Sequence, residues 1–228
     1  LQQADYLRIK AMRSMKLRAD ENRPVTRLGE KKATAVLMYD RDAELLIAEA
    51  AVKQTPAAKR DAAVMCLLLD YGLRASEVAA LKVGHVDVEE EVLVFERPKV
   101  QGSQHEIGRH ILTPRTLLHL QDYLAVAADD ENAPLFQTSN KGGTLLGGVL
   151  DRITVSRLVK RIGRRMAKIE GLHKLAQLSA HDCRHYCATT MANKGYGVHE
   201  LMLWFGWTSA QTAMRYVEAA EIAERDKG

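Results

Sequence analysis

Two arginines, a lysine, a histidine, an indole and a late tyrosine stand in local contexts that suit them to one kind of chemistry, the handling of a phosphodiester. The densest segment is Ser179-Ala180-His181-Asp182-Cys183-Arg184. Ser179 followed three residues later by Asp182 is a capping-box pattern, so a helix is expected to begin here with His181 in its first turn. Arg184, three residues further on, shares the face of His181. A helix N-terminus presents N–H groups and the positive end of a dipole to an anion. An arginine fork adds bidentate grip on phosphate oxygens, and a histidine can pass a proton or donate a hydrogen bond. The plainer reading of this fragment is a capping histidine beside an ordinary surface arginine.

A second segment, Tyr71-Gly72-Leu73-Arg74-Ala75-Ser76-Glu77, puts Arg74 between a helix break and a helix start. A charge on such a turn is fixed, and Glu77 is spaced to orient Arg74 or a neighbouring histidine; alternatively the two form a simple capping pair. Lys99 follows Arg97-Pro98 at an expected hairpin tip, where a lysine either reaches a leaving-group oxygen or is merely solvated. Trp207 follows Gly206, and its indole is a donor only. Tyr216 falls two turns into the helix expected after Ser209, with Arg215 beside it. A tyrosine in such a place is either a packing residue with a wet hydroxyl or a nucleophile.

The elements that must position these groups are mostly helices. Residues 40–53 read as an amphipathic helix and residues 57–71 as a central one, with the run Ala62-Ala63-Val64-Met65-Cys66-Leu67-Leu68-Leu69. Gly72 then stands where a helix C-terminus wants positive φ. A further helix covers 75–81. Residues 86–95 suggest a strand pair around Glu89-Glu90-Glu91, and 106–112 the returning strand. Pro114 opens a helix to about residue 127; residues 129–150 read as a loop-rich insertion. A long helix is expected over 153–169, with an apolar face and a basic set Arg157, Arg161, Arg164, Arg165 and Lys168 suited to a nucleic-acid backbone. Helices over 180–194, 198–205 and 210–222 complete the chain. The expected fold class is mainly α with a small antiparallel β-sheet.

With 228 residues, 46% of them hydrophobic, the chain can bury a substantial core. The net charge of +4 says little by itself, but basic residues concentrate in 1–32 and 151–194, the footprint expected of a phosphate-backbone binder. The three cysteines, Cys66, Cys183 and Cys187, suggest a reducing compartment and no disulfide framework. Cys183 and Cys187 with His181 and His185 make a metal site conceivable, yet no second ligand pair of zinc-type spacing follows, and no metal is expected. No apolar run reaches membrane-spanning length.

In this order the segments resemble the catalytic domain of the tyrosine recombinases, the phage-type integrases, over about residues 40–217. That family is marked by arginine in a Gly-Leu-Arg-x-Ser-Glu context, a hairpin lysine, His-x-x-Arg, then His or Trp, then the nucleophilic Tyr. The matching positions are Arg74, Lys99, His181 with Arg184, Trp207 and Tyr216; tryptophan replaces the commoner histidine at position 207. The resemblance implies the recombinase catalytic-domain fold and a site-specific recombinase or integrase that cuts and rejoins DNA through a 3′-phosphotyrosine. Arg74 and Arg184 would bind the phosphate oxygens, Lys99 would protonate the leaving 5′ oxygen, His181 would be the acid/base partner, Trp207 would donate to the phosphate, and Glu77 would orient the others. One ester replaces another, so neither ATP nor metal nor other cofactor is implied.

The resemblance further implies double-stranded DNA as partner, a homotetramer on DNA and a monomer without it, no membrane, and a cytoplasmic, nucleoid-associated location. It divides the chain into 1–34 (the last helix of an N-terminal core-binding domain plus a linker), a catalytic domain over 35–217 and a tail over 218–228. A chain that opens on Leu1 with so little ahead of the catalytic part is then expected to be a portion of a longer protein. Two rival expectations share many of the residues: a type IB topoisomerase-like enzyme acting as a monomer without sequence choice, and a DNA-binding module in which Tyr216 is only structural.

Overall fold

The computed structural model describes residues 35–97, 106–127, 130–169 and 171–225. The helix and linker expected within 1–34 and the hairpin tip with Lys99 lie outside the described residues.

The organising element is helix α2 (Pro56–Asp70), which follows α1 (Asp40–Ala51). Thr55 caps α2 by accepting the Ala58 N–H, and Pro56 takes the first-turn position where its missing N–H is harmless. Every residue from Ala62 to Leu69 is buried, so α2 is apolar all round and forms the centre of the core. It ends at Gly72, whose φ of +61° lets the chain reverse; a Cβ there would lie 2.5 Å from a carbon of the Phe205 ring. The short α3 (Ala75–Ala80) starts at once from Arg74.

A three-stranded antiparallel sheet in the order β1 (Val86–Asp87), β2 (Val92–Arg97), β3 (Glu106–Ile111) covers one side. Along β2, Leu93, Phe95 and Arg97 point inward while Val94 and Glu96 face out, the period-two pattern of a half-buried strand. Helix α4 (Pro114–Leu124) packs along α2. The stretch expected to be a loop-rich insertion holds a second antiparallel pair, β4 (Gln137–Ser139) and β5 (Leu145–Val149). Paired glycines and outward-facing side chains conceal this hairpin in the sequence, because strand pairing uses the backbone while the pattern reports burial.

Helix α5 (Arg152–Met166) begins with Asp151 accepting the Thr154 N–H and buries Val155, Leu158, Val159, Ile162 and Met166. Then come α6 (Ala180–Asn193), α7 (Val198–Phe205) and α8 (Ala210–Arg225). The last runs three residues past the expected end at 222, so residues 218–225 are helical. The fold is therefore mainly helical with small antiparallel sheets. Its apolar residues form one large cluster centred on α2 and a smaller one made by the outer part of α6 with α7 and α8; Trp204 packs against both. Among the described residues no helix is long and apolar enough to cross a membrane, and Cys66, Cys183 and Cys187 are buried thiols.

Candidate active site

The site grows from three chain reversals that meet. At the first, Arg74 is the residue ahead of α3, in extended backbone, so its side chain leaves the turn instead of joining the helix. Glu77, buried to 1% exposure, receives both the Arg74 backbone N–H (2.7 Å) and the Arg74 guanidinium (2.7 Å). One carboxylate thus caps the helix and aims the arginine.

At the second, Ser179 and Asp182 form the capping box: the Ser179 hydroxyl donates to the Asp182 carboxylate at 2.6 Å, and its N–H donates there at 2.9 Å. Asp182 also accepts the Val36 N–H at 2.9 Å, which ties the start of the described chain to the site. His181 lies in the first turn of α6, exposed. Arg184 points the other way into the protein: its fork donates to the Gly72 carbonyl (2.7 Å) and the Phe205 carbonyl (2.6 Å), and lies 3.9 Å from Glu77. Burial, then the nearby Arg74 guanidinium, lowers Arg184 to about 10, so it remains a cation at neutral pH.

At the third, α7 ends in Gly206 at φ +61°, and Trp207 donates its N–H back to the Met202 carbonyl at 3.0 Å. This turn lays Trp207 on the Phe205 ring (centroids 4.6 Å) and puts the Tyr216 ring parallel to Trp207 (5.4 Å, 9°). The Arg184 guanidinium sits over Phe205 and Trp207 at 4.8 and 5.6 Å, so one cation is shared by two rings of the stack. Tyr216 is only 6% exposed, and burial pushes its hydroxyl well above the usual tyrosine value. That hydroxyl meets Nδ1 of His185 at 2.5 Å, and Nε2 of His185 meets Nε2 of His181 at 2.9 Å.

The structure therefore brings Arg74, Glu77, His181, Arg184, Trp207 and Tyr216 into one neighbourhood, while Lys99 is outside the described residues. Arg74, His181 and Arg184 line an open cleft, and its far wall is a row from α5: Arg152, Ser156 and Lys160. Trp207 and Tyr216 do not line the cleft, but Trp207 lies against the guanidinium of Arg184, which does. Sequence reasoning missed this row and His185. The signals were present: residues 152, 156 and 160 are spaced four apart, and His185 is four after His181, which is one helix face in each case.

The basic set expected on α5 divides. Arg157, Arg161, Arg164 and Lys168 are all exposed; of these Arg161 also pairs with Asp61 at 2.8 Å, while the half-buried Arg165 pairs with Glu49 at 2.6 Å. The conceivable metal cluster does not assemble: Cys183 and Cys187 face the core, and among the described residues no three His, Cys, Asp or Glu converge.

These elements and this site define the class. The sequence model of the phage integrase family matches residues 37–222, and the chain belongs to that family. It is similar to the tyrosine recombinase XerD of Xanthomonas axonopodis pv. citri, 31% identical over 174 residues, covering 73% of this chain and 53% of that protein. It is also similar to the tyrosine recombinase XerA of Pyrococcus furiosus, 27% identical over 158 residues, covering 69% and 49% respectively. The chain thus spans about half the length of the curated relatives it matches. Among solved structures, the crystal structure of XerA recombinase superposes with a TM-score of 0.61 at 23% identity, over 84% of this chain and 63% of that one. The XerH site-specific recombinase bound to palindromic difH substrate gives 0.60 at 17% identity, over 85% and 52%. At these identities the structural likeness concerns the fold.

Proposed function

We propose that this chain carries the catalytic unit of a site-specific DNA recombinase that cleaves and rejoins DNA through a 3′-phosphotyrosine. One observation carries the reading: two guanidinium groups, Arg74 and Arg184, converge beside Glu77 at a cleft, and a tyrosine whose hydroxyl is engaged by a ring nitrogen stacks on Trp207, which the same Arg184 contacts. In the reaction Tyr216 Oη bonds to phosphorus and the bond from phosphorus to the 5′ oxygen breaks. Arg74 and Arg184 hold the non-bridging oxygens as negative charge builds, a contribution of roughly 10²–10³ in rate for each preorganised donor. Trp207 donates to the phosphate from its indole and Lys99 protonates the departing 5′ oxygen. His181 faces the cleft at the α6 N-terminus, where helix N–H groups favour an anion.

Double-stranded DNA is the partner, bound as a homotetramer by protein that is monomeric in its absence and works in the cytoplasm at the nucleoid. Arg157, Arg164 and Lys168, with Arg152 and Lys160 at the cleft, follow the phosphate backbone. In the relatives' setting, residues 1–34 serve as the last helix of a DNA-clamping domain and its linker.

The test is covalent trapping. The full-length protein, incubated with a pool of nicked duplexes, should form a denaturation-resistant adduct that maps to Tyr216. Tyr216→Phe should abolish it and Arg184→Ala should reduce it at least 100-fold. Full-length protein that binds DNA yet yields no adduct would sink the reading and leave a binding module; supercoil relaxation by monomers would redirect it to a topoisomerase.

A further inference from the structure

The reading above requires the Tyr216 hydroxyl to lose its proton as it attacks, and Tyr216 sits where solvent does not reach it readily. Tyr216 is not among the residues that line the cleft. Its hydroxyl faces His185, a half-buried residue that the recombinase resemblance leaves without a role. His185 is one helical turn beyond His181 on α6, the two rings pack edge to face with centroids 4.3 Å apart, and their Nε2 atoms are 2.9 Å apart. A continuous path Tyr216 Oη, His185 Nδ1, His185 Nε2, His181 Nε2 thus runs from the buried hydroxyl to a residue that lines the cleft.

The polarity of this path follows from the groups at its ends. Burial favours the neutral, protonated phenol, which is a donor, so Nδ1 of His185 is the acceptor. The neutral imidazole then carries its proton on Nε2 and donates to Nε2 of His181. We infer that His185 is the catalytic residue that takes the proton from the Tyr216 hydroxyl, and that His181 is the second station of a two-histidine relay leading to the cleft. The inference rests on the proposed recombinase reading and adds to it the identity of the base.

The step balances. The bond from Tyr216 Oη to phosphorus forms while the Oη proton moves to His185 Nδ1. The Nε2 proton of His185 moves to His181 Nε2, and the bond from phosphorus to the 5′ oxygen breaks as that oxygen takes a proton from the acid of the cleft. The cation so formed resides on His181, beside the phosphate that is gaining negative charge, instead of remaining buried against Tyr216, where desolvation would oppose it. Rejoining runs the relay backwards. The arrangement also gives a half-buried histidine its place, between the Tyr216 hydroxyl and the exposed His181.

The experiment uses full-length protein and a nicked duplex from the pool on which the parent forms its Tyr216 adduct, prepared in two versions. One has the natural 5′ oxygen at the scissile bond, the other a 5′ bridging sulfur, which leaves without an acid. His185→Asn keeps an acceptor near the Nδ1 position but cannot hold a proton; His185→Gly leaves a gap that added imidazole can enter. Melting temperature and DNA affinity of His185→Asn should match the parent. Its rate of adduct formation should fall about 100-fold, equally on the oxygen and sulfur duplexes, and imidazole should restore His185→Gly. Parental rate in His185→Asn overturns the inference while leaving the recombinase reading intact. So does recovery on the sulfur duplex, which would assign His185 to the leaving group, and so does an imidazole effect absent in folded His185→Gly. Should His185→Gly not fold, the sulfur comparison on His185→Asn decides alone. Absence of an adduct from the parent on DNA it binds removes both readings together.

Discussion

His110 shows how a single residue beneath the site shapes the molecule. It is 3% exposed on β3, neither ring nitrogen has a hydrogen-bond partner among the described residues, and its ring lies on Trp204 at 4.4 Å, with Tyr71 and Phe95 at 5.3 and 5.7 Å. It therefore works as an aromatic plate under the strand and helix that carry the site. Burial, then the Arg97 and Arg184 charges, pushes it from its ordinary 6.5 down to about 3. Between these values the unfolded chain binds a proton that the folded chain refuses, so stability is full above about pH 6.5 and is lost as pH falls toward 3. The slope from this one group approaches about 1.4 kcal/mol per pH unit inside the window. His110→Phe should flatten the acid limb by that slope in denaturant titrations at pH 6.5 and 4.5. An unchanged fall across the window would show that other groups set it. No sequence pattern announced His110, because alternation along a strand marks a position as inward-facing without telling whether a histidine there is charged, ligating or merely packed.

At the scale of elements, what was legible was whatever neighbouring residues determine. The Ser179–Asp182 box, the Thr55–Pro56 start of α2 and the reversal at Gly72 are local devices, and each appears where its residues stand. The direction of a long side chain is set by partners far along the chain, and there the reading of α5 was incomplete. Arg161 and Arg164 look alike in sequence and both are exposed, but only Arg161 is given an ion pair, with Asp61 of α2. Arg184 was expected on the face of His181 and instead sends its fork inward to the carbonyls of Gly72 and Phe205. These differences separate two outcomes in a salt titration of DNA binding. Arg164→Ala should lower the slope of log affinity against log salt by about 1, the loss of one phosphate contact. Arg161→Ala should lower the slope by less, because its guanidinium is already paired, and should also lower the melting temperature, since it removes one of two arginines on Asp61, the other being Arg60. Equal slope changes for both variants would show that the Asp61 pair does not hold Arg161 back from the phosphates.

Over the whole molecule, the candidate site straddles the boundary between two apolar clusters. Arg74 and Glu77 belong to the body built on α2; Trp207 and Tyr216 belong to the smaller unit of α7 and α8, which packs on α6 and on itself. Across that boundary run hydrogen bonds to one short stretch of backbone: Arg97 donates to the Leu203 and Trp204 carbonyls, Arg184 to the Phe205 carbonyl, and the Trp204 indole to the Tyr71 carbonyl. Three of the four acceptor carbonyls, those of Leu203, Trp204 and Phe205, are at the C-terminal end of α7, where helix carbonyls have no partner of their own, and the fourth, that of Tyr71, caps α2. The boundary also carries apolar packing, with Trp204 against Tyr71 and His110, but a small unit tied on through one helix end can open below the free energy of global unfolding. In the proposed reaction such loosening would let a phosphate approach the buried Tyr216 hydroxyl while its bond to His185 is kept. Native-state hydrogen exchange should therefore show amides of α7 and α8 exchanging through an opening at least 2 kcal/mol below the global value, about 30-fold faster than global unfolding allows. Amides of α2 should exchange only with complete unfolding. Arg97→Ala, which removes two of the ties, should widen that gap by speeding α7 and α8 while leaving α2 closer to its parental value. If instead α2, α7 and α8 share one exchange free energy in the parent protein, the molecule opens as a single unit and the boundary between the two clusters is not a line of weakness.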